Sequence, residues 1–148
     1  MIGKQPASAM RQNKMNLSFS VLPQPFAVAK LPADASVPAH ILSANGFVTI
    51  SRTADELSIV CPASFVEEGM RAEYGWRLLK IHGPFSFDQV GILVSLLQPL
   101  AAASVGIFAI STFDTDYILV KSEKLQLALN SLQIAGHKLI DSIGITGE

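Results

Sequence analysis

Residues 90–110 carry no charged side chain, and this run constrains the fold more than any other feature. Such a run must be buried, either in a protein core or in a bilayer. A bilayer is an option because about 20 apolar residues can span a membrane. Pro99 and Gly106 interrupt the run, and residues 105–112 have the character of a strand. Pro99 also removes a helical hydrogen bond to the carbonyl of Ser95, which should kink the helix. We therefore predict a buried helix followed by a strand, with a membrane span as the alternative.

The residues just before this run predict a strand that leads into the helix. The apolar run at 76–81 ends at Gly83 and Pro84. Asp88 is a candidate N-cap or first-turn acid, because a carboxylate there accepts from free N–H groups at the positive end of the helix. Gly91 leaves the backbone at that end with little cover, which favours binding of a carboxylate.

The residues after the run predict a hairpin, a second helix and a last strand. The predicted bounds are 105–112 and 116–121 for the hairpin strands, 122–135 for the helix and 137–140 for the last strand. Asp114 and Thr115 form the tight connection of the hairpin, Ser122 is the expected N-cap, and Gly136 ends the helix. Residues 76–142 therefore predict a βαββαβ unit whose sheet carries two helices on one face.

The first part of the chain predicts a smaller, less regular unit. Its predicted elements are strands at 17–22 and 26–31, one or two helical turns within 37–44, a hairpin over 47–61 and a short helix over 62–66. Pro23 and Pro25 leave the pairing of the first two strands open. Residues 69–75 are expected to connect the two units. Residues 1–16 are polar and lack the apolar stretch of a secretory signal, so we expect a mobile leader.

Several motifs of the second part occur in a specific order and spacing. They are Phe87-Asp88-Gln89-Val90-Gly91-Ile92, Pro99-Leu100-Ala101-Ala102-Ala103, Ile110-Ser111-Thr112-Phe113, Asp116, and Leu119-Val120. In these motifs the chain resembles the ACT domain family, and within it the tandem ACT modules of the CASTOR arginine sensors and of small bacterial proteins related to the regulatory part of aspartate kinases. Residues 47–53 and 56–60 resemble the hairpin of a degenerate preceding ACT unit.

This resemblance implies an α+β fold of two ferredoxin-like (βαββαβ) ACT units, the first degenerate, with antiparallel sheets and helices on one face. The implied domains are a mobile leader at 1–16, a degenerate ACT-like unit at 17–72, an ACT unit at 73–142 and a tail at 143–148.

The resemblance also implies a regulatory sensor that binds a free amino acid where ACT units meet. The implied ligand-binding residues are Ser86, Gln89, Val90 and Gly91 on one side and Thr112, Phe113 and Asp116 on the other. Backbone N–H groups near Gly91 are expected to take the α-carboxylate and Asp116 the α-ammonium, while Gln89 and Phe113 contact the side chain. The arginine sensors have a glutamate at the position of Gln89, so we expect a neutral or acidic amino acid rather than arginine.

The amino-acid composition limits the kinds of partner that this chain is expected to bind. A net charge of −1 with 16% charged residues gives no basic surface for nucleic acid. The 49% hydrophobic content suggests a surface covered by a second subunit, so we expect a homodimer and no membrane partner. Cys61 is the only cysteine, which excludes intramolecular disulfides and favours the cytoplasm. It is expected to be a buried apolar residue rather than a nucleophile.

Other functions remain as alternatives. The main one is a ligand-free ACT-type module for dimerisation or protein interaction, and a regulated protein partner fits either function. His40, His82 and His137 are scattered, and no catalytic or cofactor motif occurs, so we expect no enzyme and no cofactor. The two carboxylates of Asp114 and Asp116 lie in a hairpin turn, where aspartate is favoured for backbone reasons, so we expect no metal site.

Overall fold

The computed structural model describes residues 15–86 and 89–140 and has the predicted α+β class. The strands are β1 (Ser18–Val21), β2 (Phe26–Leu31), β3 (Thr49–Arg52), β4 (Leu57–Pro62), β5 (Arg71–Ile81), β6 (Phe108–Ser111), β7 (Asp116–Lys121) and β8 (Lys138–Leu139). The helices are α1 (Ala39–Leu42), α2 (Ile92–Ala102) and α3 (Leu125–Ile134), with single 3₁₀ turns at Ala63–Phe65 and Ser122–Lys124.

The eleven-residue strand β5 joins two sheet regions. Its first half pairs with β2, and the order β3-β4-β2-β5 forms the sheet of what we call the first region. Its second half lies between β7 and β1, and the order β6-β7-β5-β1-β8 forms the sheet of the second region, which also contains α2 and α3. Among these pairs only β1 and β8 run parallel. One long strand therefore serves both sheets.

Each region follows the ferredoxin-like succession of strand, helix, two strands, helix and strand. In the first region both helices are reduced to single turns, namely α1 and the 3₁₀ turn Ala63–Phe65. In the second region both helices are long, and β1 is inserted between β5 and β8. The first region is thus the degenerate unit that the sequence predicts.

Some predicted elements are wrong in their bounds. Residues 71–75 were expected to be a connection, but they begin β5, because they continue the ladder to β2 in which Ala72 lies opposite Ala29. The predicted division at residues 72 and 73 falls inside this strand and stays a prediction. Ser122 does not cap α3. Its hydroxyl donates to the carbonyl of Gly75 at 3.1 Å, and α3 begins three residues later.

The start of α2 also differs from the expectation. The helix begins at Ile92 with Gly91 as its N-cap. Asp88, the predicted cap, lies outside the described residues, as do residues 1–14 of the predicted leader and all of the predicted tail. In the described part of the chain no helix has the length and apolar character needed to cross a bilayer. The uncharged run contains the helix α2 followed by the strand β6, as predicted.

Three apolar clusters hold the fold together. One lies between the two long helices and the second sheet and includes Leu79, Leu96 and Ile118. A second, around Ile41 and Cys61, is the core of the first region. The third lies between the two sheets and comprises Phe26, Val60, Leu78 and Leu119. Because side chains alternate along a strand, β5 contributes Leu79 to the first cluster and Leu78 to the third. The two regions therefore share a core as well as a strand.

His137 compensates for the proline inside α2. Pro99 has no N–H for the carbonyl of Ser95, and that carbonyl accepts instead from Nε2 of His137 at 2.9 Å. Nδ1 of the same ring accepts from the N–H of Leu17 at 3.1 Å, so the ring is the neutral tautomer with its hydrogen on Nε2. His137 is 4% exposed and ties the segment before β1 to α2.

Candidate functional site: a cleft at the start of α2

A cleft of about 260 Å³ lies between the start of α2 and the turn of the β6–β7 hairpin. We call it the front cleft. The residues that line it are Phe85, Ser86, Gln89, Gly91, Ile92, Leu93, Ser111, Thr112, Phe113, Asp114, Thr115 and Asp116. The loop after β5, the helix start and the hairpin turn thus meet at one place.

Six of the seven residues predicted to bind a ligand line this cleft. The exception is Val90, whose side chain is 80% exposed beside the opening. Ser111, Asp114 and Thr115 line the cleft but were missed as ligand residues. Ser111 could have been found from the hairpin register, because it lies directly opposite Asp116.

Two hydrogen bonds close the loop that leads to the helix. The N–H of Gln89 donates to the carbonyl of Ser86 at 3.0 Å, and the N–H of Ser86 donates to Oε1 of Gln89 at 2.9 Å. Because the amide oxygen of Gln89 is engaged within the loop, its –NH₂ group is what remains for a ligand. The side chain can therefore act in the front cleft as a hydrogen-bond donor.

The first turn of α2 supplies further donors. Its first helical hydrogen bond runs from the N–H of Ser95 to the carbonyl of Gly91 at 2.9 Å, so the N–H groups of Ile92 and Leu93 have no partner within the helix. Gly91 adopts a left-handed conformation, with φ of 85°. A Cβ added there would lie 3.9 Å from the nearest heavy atom, in Met15, so backbone conformation rather than space favours glycine. This end of the helix suits an anion.

The hairpin turn on the opposite side is held in place by its own hydrogen bonds. Thr112 donates from its N–H at 2.8 Å and from its hydroxyl at 3.1 Å to the carbonyl of Thr115. The hydroxyl of Thr115 donates to the carbonyl of Ile81, and the N–H of Phe85 donates to the carbonyl of Asp114 at 2.8 Å. The turn is therefore fixed to the end of β5.

The charged groups of the front cleft are carboxylates. Oδ1 of Asp116 accepts from the hydroxyl of Ser111, whereas Oδ2 has no partner among the described residues. Asp114 is the second acid, and the described lining contains no lysine or arginine. Carboxylates on one side and free N–H groups on the other suit a molecule that carries both an ammonium and a carboxylate.

Three exposed apolar side chains lie at or next to residues of the cleft lining, since Phe113 lines the cleft and Val90 and Val94 adjoin Gly91 and Leu93 in sequence. Val90, Val94 and Phe113 are 80%, 61% and 78% exposed, and together we call them the rim. Apolar side chains grouped in this way on a surface are typical of contact with another molecule.

Outside the front cleft, we considered the cysteine and histidine side chains as reactive or metal-binding groups. Cys61 is fully buried, and this burial raises the pKa of its thiol, so it is not an activated nucleophile. Nε2 of His40 lies 2.9 Å from the carbonyl of Phe65. Within residues 15–86 and 89–140, no group of three or more histidine, cysteine, aspartate or glutamate side chains could hold a metal ion.

Comparison with known proteins agrees with this architecture. The sequence profile of the ACT domain matches residues 71–134, and a profile of an N-terminal domain matches residues 24–68. The cytosolic arginine sensor for mTORC1 subunit 1 of Rattus norvegicus is 32% identical over 104 residues, which make up 69% of this chain and 31% of that protein. The chain therefore matches about a third of the length of that relative.

Solved structures show the same fold. A crystal structure of a protein from Agobacterium tumefaciens matches with a TM-score of 0.80 and 40% identity, covering 85% of this chain and 93% of that one. The regulatory subunit of aspartate kinase from Thermus thermophilus, in a ligand-free form, matches with a TM-score of 0.60 and 11% identity, covering 82% of this chain and 98% of that one. The second likeness concerns the fold alone.

Proposed function

Because the chain belongs to the ACT domain family, we propose that it is a regulatory protein that binds a free amino acid in the front cleft. One observation carries this proposal. The N–H groups at the start of α2 lie across the cleft from the carboxylate of Asp116. An α-amino acid has a carboxylate and an ammonium on neighbouring atoms, so it can satisfy both sides at once.

Each side of the ligand has its own partner in this proposal. The N–H groups of Ile92 and Leu93 receive the α-carboxylate. Oδ2 of Asp116 and the carbonyls near Thr112 receive the α-ammonium. Gln89 and Phe113 contact the side chain of the ligand. The hydrogen bonds that fix the loop and the turn keep these groups in place before binding, which lowers the entropic cost of association.

The chemistry of Gln89 narrows the ligand class. Its amide offers N–H donors, since its oxygen already accepts from Ser86. A donor selects a side chain with an acceptor oxygen and gives no advantage to a guanidinium. A further carboxylate in the ligand would lie close to Asp114 and Asp116 and be repelled. We therefore propose a neutral amino acid with a side-chain amide, asparagine or glutamine, ahead of acidic amino acids and of arginine.

A second copy of the chain completes the site in this proposal. The rim places exposed apolar side chains next to the front cleft. The segment aligned with the arginine sensor makes up 69% of this chain and 31% of that relative, so the relative is more than twice as long. Two copies of this chain would together approach the length of that relative. We propose a homodimer that covers the rim.

The output of binding is regulatory and non-catalytic in this proposal, and it acts on a protein partner in the cytoplasm. A single, buried cysteine fits a reducing compartment. No arrangement of nucleophile and base is found among the described residues near the front cleft, which favours a sensor over an enzyme.

Thermal unfolding of the purified protein with each proteinogenic amino acid at millimolar concentration tests the proposal. A ligand at about 100 times its dissociation constant adds about 2.7 kcal/mol to the free energy of unfolding. We expect an increase in Tm of several degrees for glutamine or asparagine only. Asp116→Asn should abolish the increase while keeping the fold. Asp55→Asn, in the exposed turn of the first-region hairpin, is the matched control and should retain it.

Gln89→Glu tests the ligand class separately. A glutamate still offers an oxygen to the N–H of Ser86 but replaces the amide donor by a negative charge. We expect the preference to move from amide side chains to arginine or lysine. An unchanged ligand profile in this variant, measured by isothermal titration calorimetry, would contradict the assigned role of Gln89 without affecting that of Asp116.

The second candidate is a ligand-free interaction module, which the exposed rim favours. In that case no amino acid would change Tm. Both candidates require the rim to be an interface, so Val94→Glu should yield a monomer by light scattering after size-exclusion chromatography. Ile134→Glu, at a still more exposed apolar position on α3, should leave the dimer intact. In the sensor, the monomeric variant should also lose amino-acid binding.

A further inference from the structure

A second cleft lies on the opposite, helix-free side of the β6–β7 turn. Two adjoining cavities of about 460 and 620 Å³ share Lys80, Thr112 and Tyr117 in their walls. We call their combined volume the rear cleft. His82 lines the first cavity and Phe47, from the first region, lines the second. The rear cleft is thus formed where the two regions meet.

Strand register brings its polar side chains into one row. Lys80 on β5 lies opposite Ser20 on β1 and opposite Tyr117 on β7. The neighbouring residues of these strands, such as Leu79 and Ile118, face the long helices. Because side chains alternate along a strand, Ser20, Lys80 and Tyr117 lie together on the helix-free face. This row crosses three strands and is not a property of a single loop.

The row offers a cation that is not neutralised by an ion pair. Lys80 is half-buried and makes no ion pair or hydrogen bond with any described residue. His82 lies on the same face, with Nε2 2.8 Å from the hydroxyl of Ser20. Asp114 is the one carboxylate among the described lining residues, and it also lines the front cleft. An ammonium in a concave, partly dehydrated place favours an anion.

Two aromatic side chains, Phe47 and Tyr117, line the same cavity as Lys80, and we call them the aromatic wall. The rings of Phe47 and Tyr117 pack with centroids 4.5 Å apart and planes tilted by 52°. Both side chains are half-buried, so part of each ring remains accessible. The hydroxyl of Tyr117 makes no hydrogen bond within the described chain. The wall supplies apolar contact area next to a positive charge and a free hydroxyl.

We propose that the rear cleft binds a small organic anion with a flat apolar body, in the class of aromatic carboxylates. Its carboxylate pairs with the ammonium of Lys80, and its ring packs against Phe47. This binding uses none of the helix-start donors and neither Gln89 nor Asp116, so variants can separate it from the amino-acid site. The turn at residues 112–115 borders both clefts, so its backbone reports on occupation of the rear cleft as well.

Titration of the ¹⁵N-labelled protein with sodium benzoate at constant ionic strength tests this site. We expect saturable shifts of the amide signals of Lys80, Tyr117 and residues 112–115. Lys80→Gln should weaken binding by about tenfold or more, as loss of a charge-assisted hydrogen bond does. Lys80→Arg keeps the charge and should retain binding. Lys30→Gln, which removes an exposed lysine of β2, is the control and should bind as the wild type does.

Two further measurements test whether the ligand needs both a carboxylate and an aromatic ring. Sodium acetate carries the carboxylate without a ring, so we expect it to bind more weakly than benzoate. Phe47→Leu should weaken binding of benzoate and leave that of acetate unchanged. Shifts that do not saturate, equal benzoate affinity in wild type and Lys80→Gln, or inorganic phosphate binding as tightly as benzoate would each overturn the proposal.

Discussion

The two regions of the molecule share a succession of strands and helices but differ in what covers their sheets. In the first region, α1 has four residues and the second helix is a single 3₁₀ turn. In the second region, α2 and α3 have eleven and ten residues. The front cleft lies at the start of α2. The aligned peptide groups of a helix with several turns place about half a positive charge at its start. The long helix, rather than the shared sheet, therefore creates the candidate site.

The regions are nevertheless not separate bodies. Strand β5 belongs to both sheets, and the cluster that includes Leu78 and Val60 joins their faces. Loss of packing in one region should therefore destabilise the other region as well. We expect a single unfolding transition for the described chain, as small domains with one connected core usually have.

Ile41→Ala should give the largest effect and tests whether the first region is only an accessory. Ile41 is 1% exposed in the core of that region, and truncation of such a side chain costs about 2–5 kcal/mol. Urea unfolding should show the loss in one transition, both by Trp76 fluorescence and by far-ultraviolet circular dichroism. Leu42→Ala, at a neighbour that is 63% exposed, should change the free energy of unfolding by less than about 0.5 kcal/mol. Two separate transitions in Ile41→Ala would show that the regions unfold independently.

The sequence predicts the individual elements of both regions better than it predicts which strands pair. Helices and strands leave local periodic patterns, so nearly all elements were predicted close to their observed bounds. The pairing of β1 with both β5 and β8 was not predictable, because partner choice between distant strands leaves no local signal. Residues 71–75 look like a connection in sequence, since Gly69 and Gly75 lie close together, but tertiary pairing with β2 makes them a strand.

The candidate site was predictable to a different degree. Ser86, Gln89 and Asp116 were selected by their resemblance to a family pattern rather than by spacing alone. The bond between Ser86 and Gln89 depends on the conformation of the loop, which the sequence does not determine by any simple pattern. The rear cleft has no sequence signal, because its row of side chains comes from three distant strands.

A double-mutant cycle on Pro99 and His137 tests how the second region stabilises its long helix. His137→Phe leaves the carbonyl of Ser95 and the N–H of Leu17 without partners, which should cost about 1–3 kcal/mol. Pro99→Ala provides a new backbone N–H at position 99 for the Ser95 carbonyl. We therefore expect His137→Phe to cost less in the Pro99→Ala background. Equal costs in both backgrounds, measured by urea unfolding, would show that His137 does not act in place of the missing N–H.

Gly91→Ala tests the conformation at the start of α2 and should have a smaller effect. A residue other than glycine in the left-handed conformation costs about 1–2 kcal/mol. There is room for the methyl group, so the loss should arise from the backbone alone. Gly106→Ala is the matched control, because its Cβ meets open space and its φ is not positive. We expect amino-acid binding to weaken in Gly91→Ala only. Equal Tm values for the two variants would contradict a special role for Gly91.

The smallest predicted effect is the pH dependence of stability that arises from His82, the residue that follows β5. Burial, and then the positive charge of Lys80, lower the pKa of His82 in the folded protein. Between this lowered pKa and the ordinary value near 6.5, the unfolded chain binds more protons at His82 than the folded chain does. The free energy of unfolding should therefore rise with pH through that window and be lowest below it. His82→Gln keeps a hydrogen-bonding group for Ser20 but cannot titrate, so the rise just below the ordinary histidine pKa of about 6.5 should be smaller in this variant. Identical pH dependences of Tm for the two proteins would show that Lys80 and the surrounding sheet do not disfavour the charged form of His82.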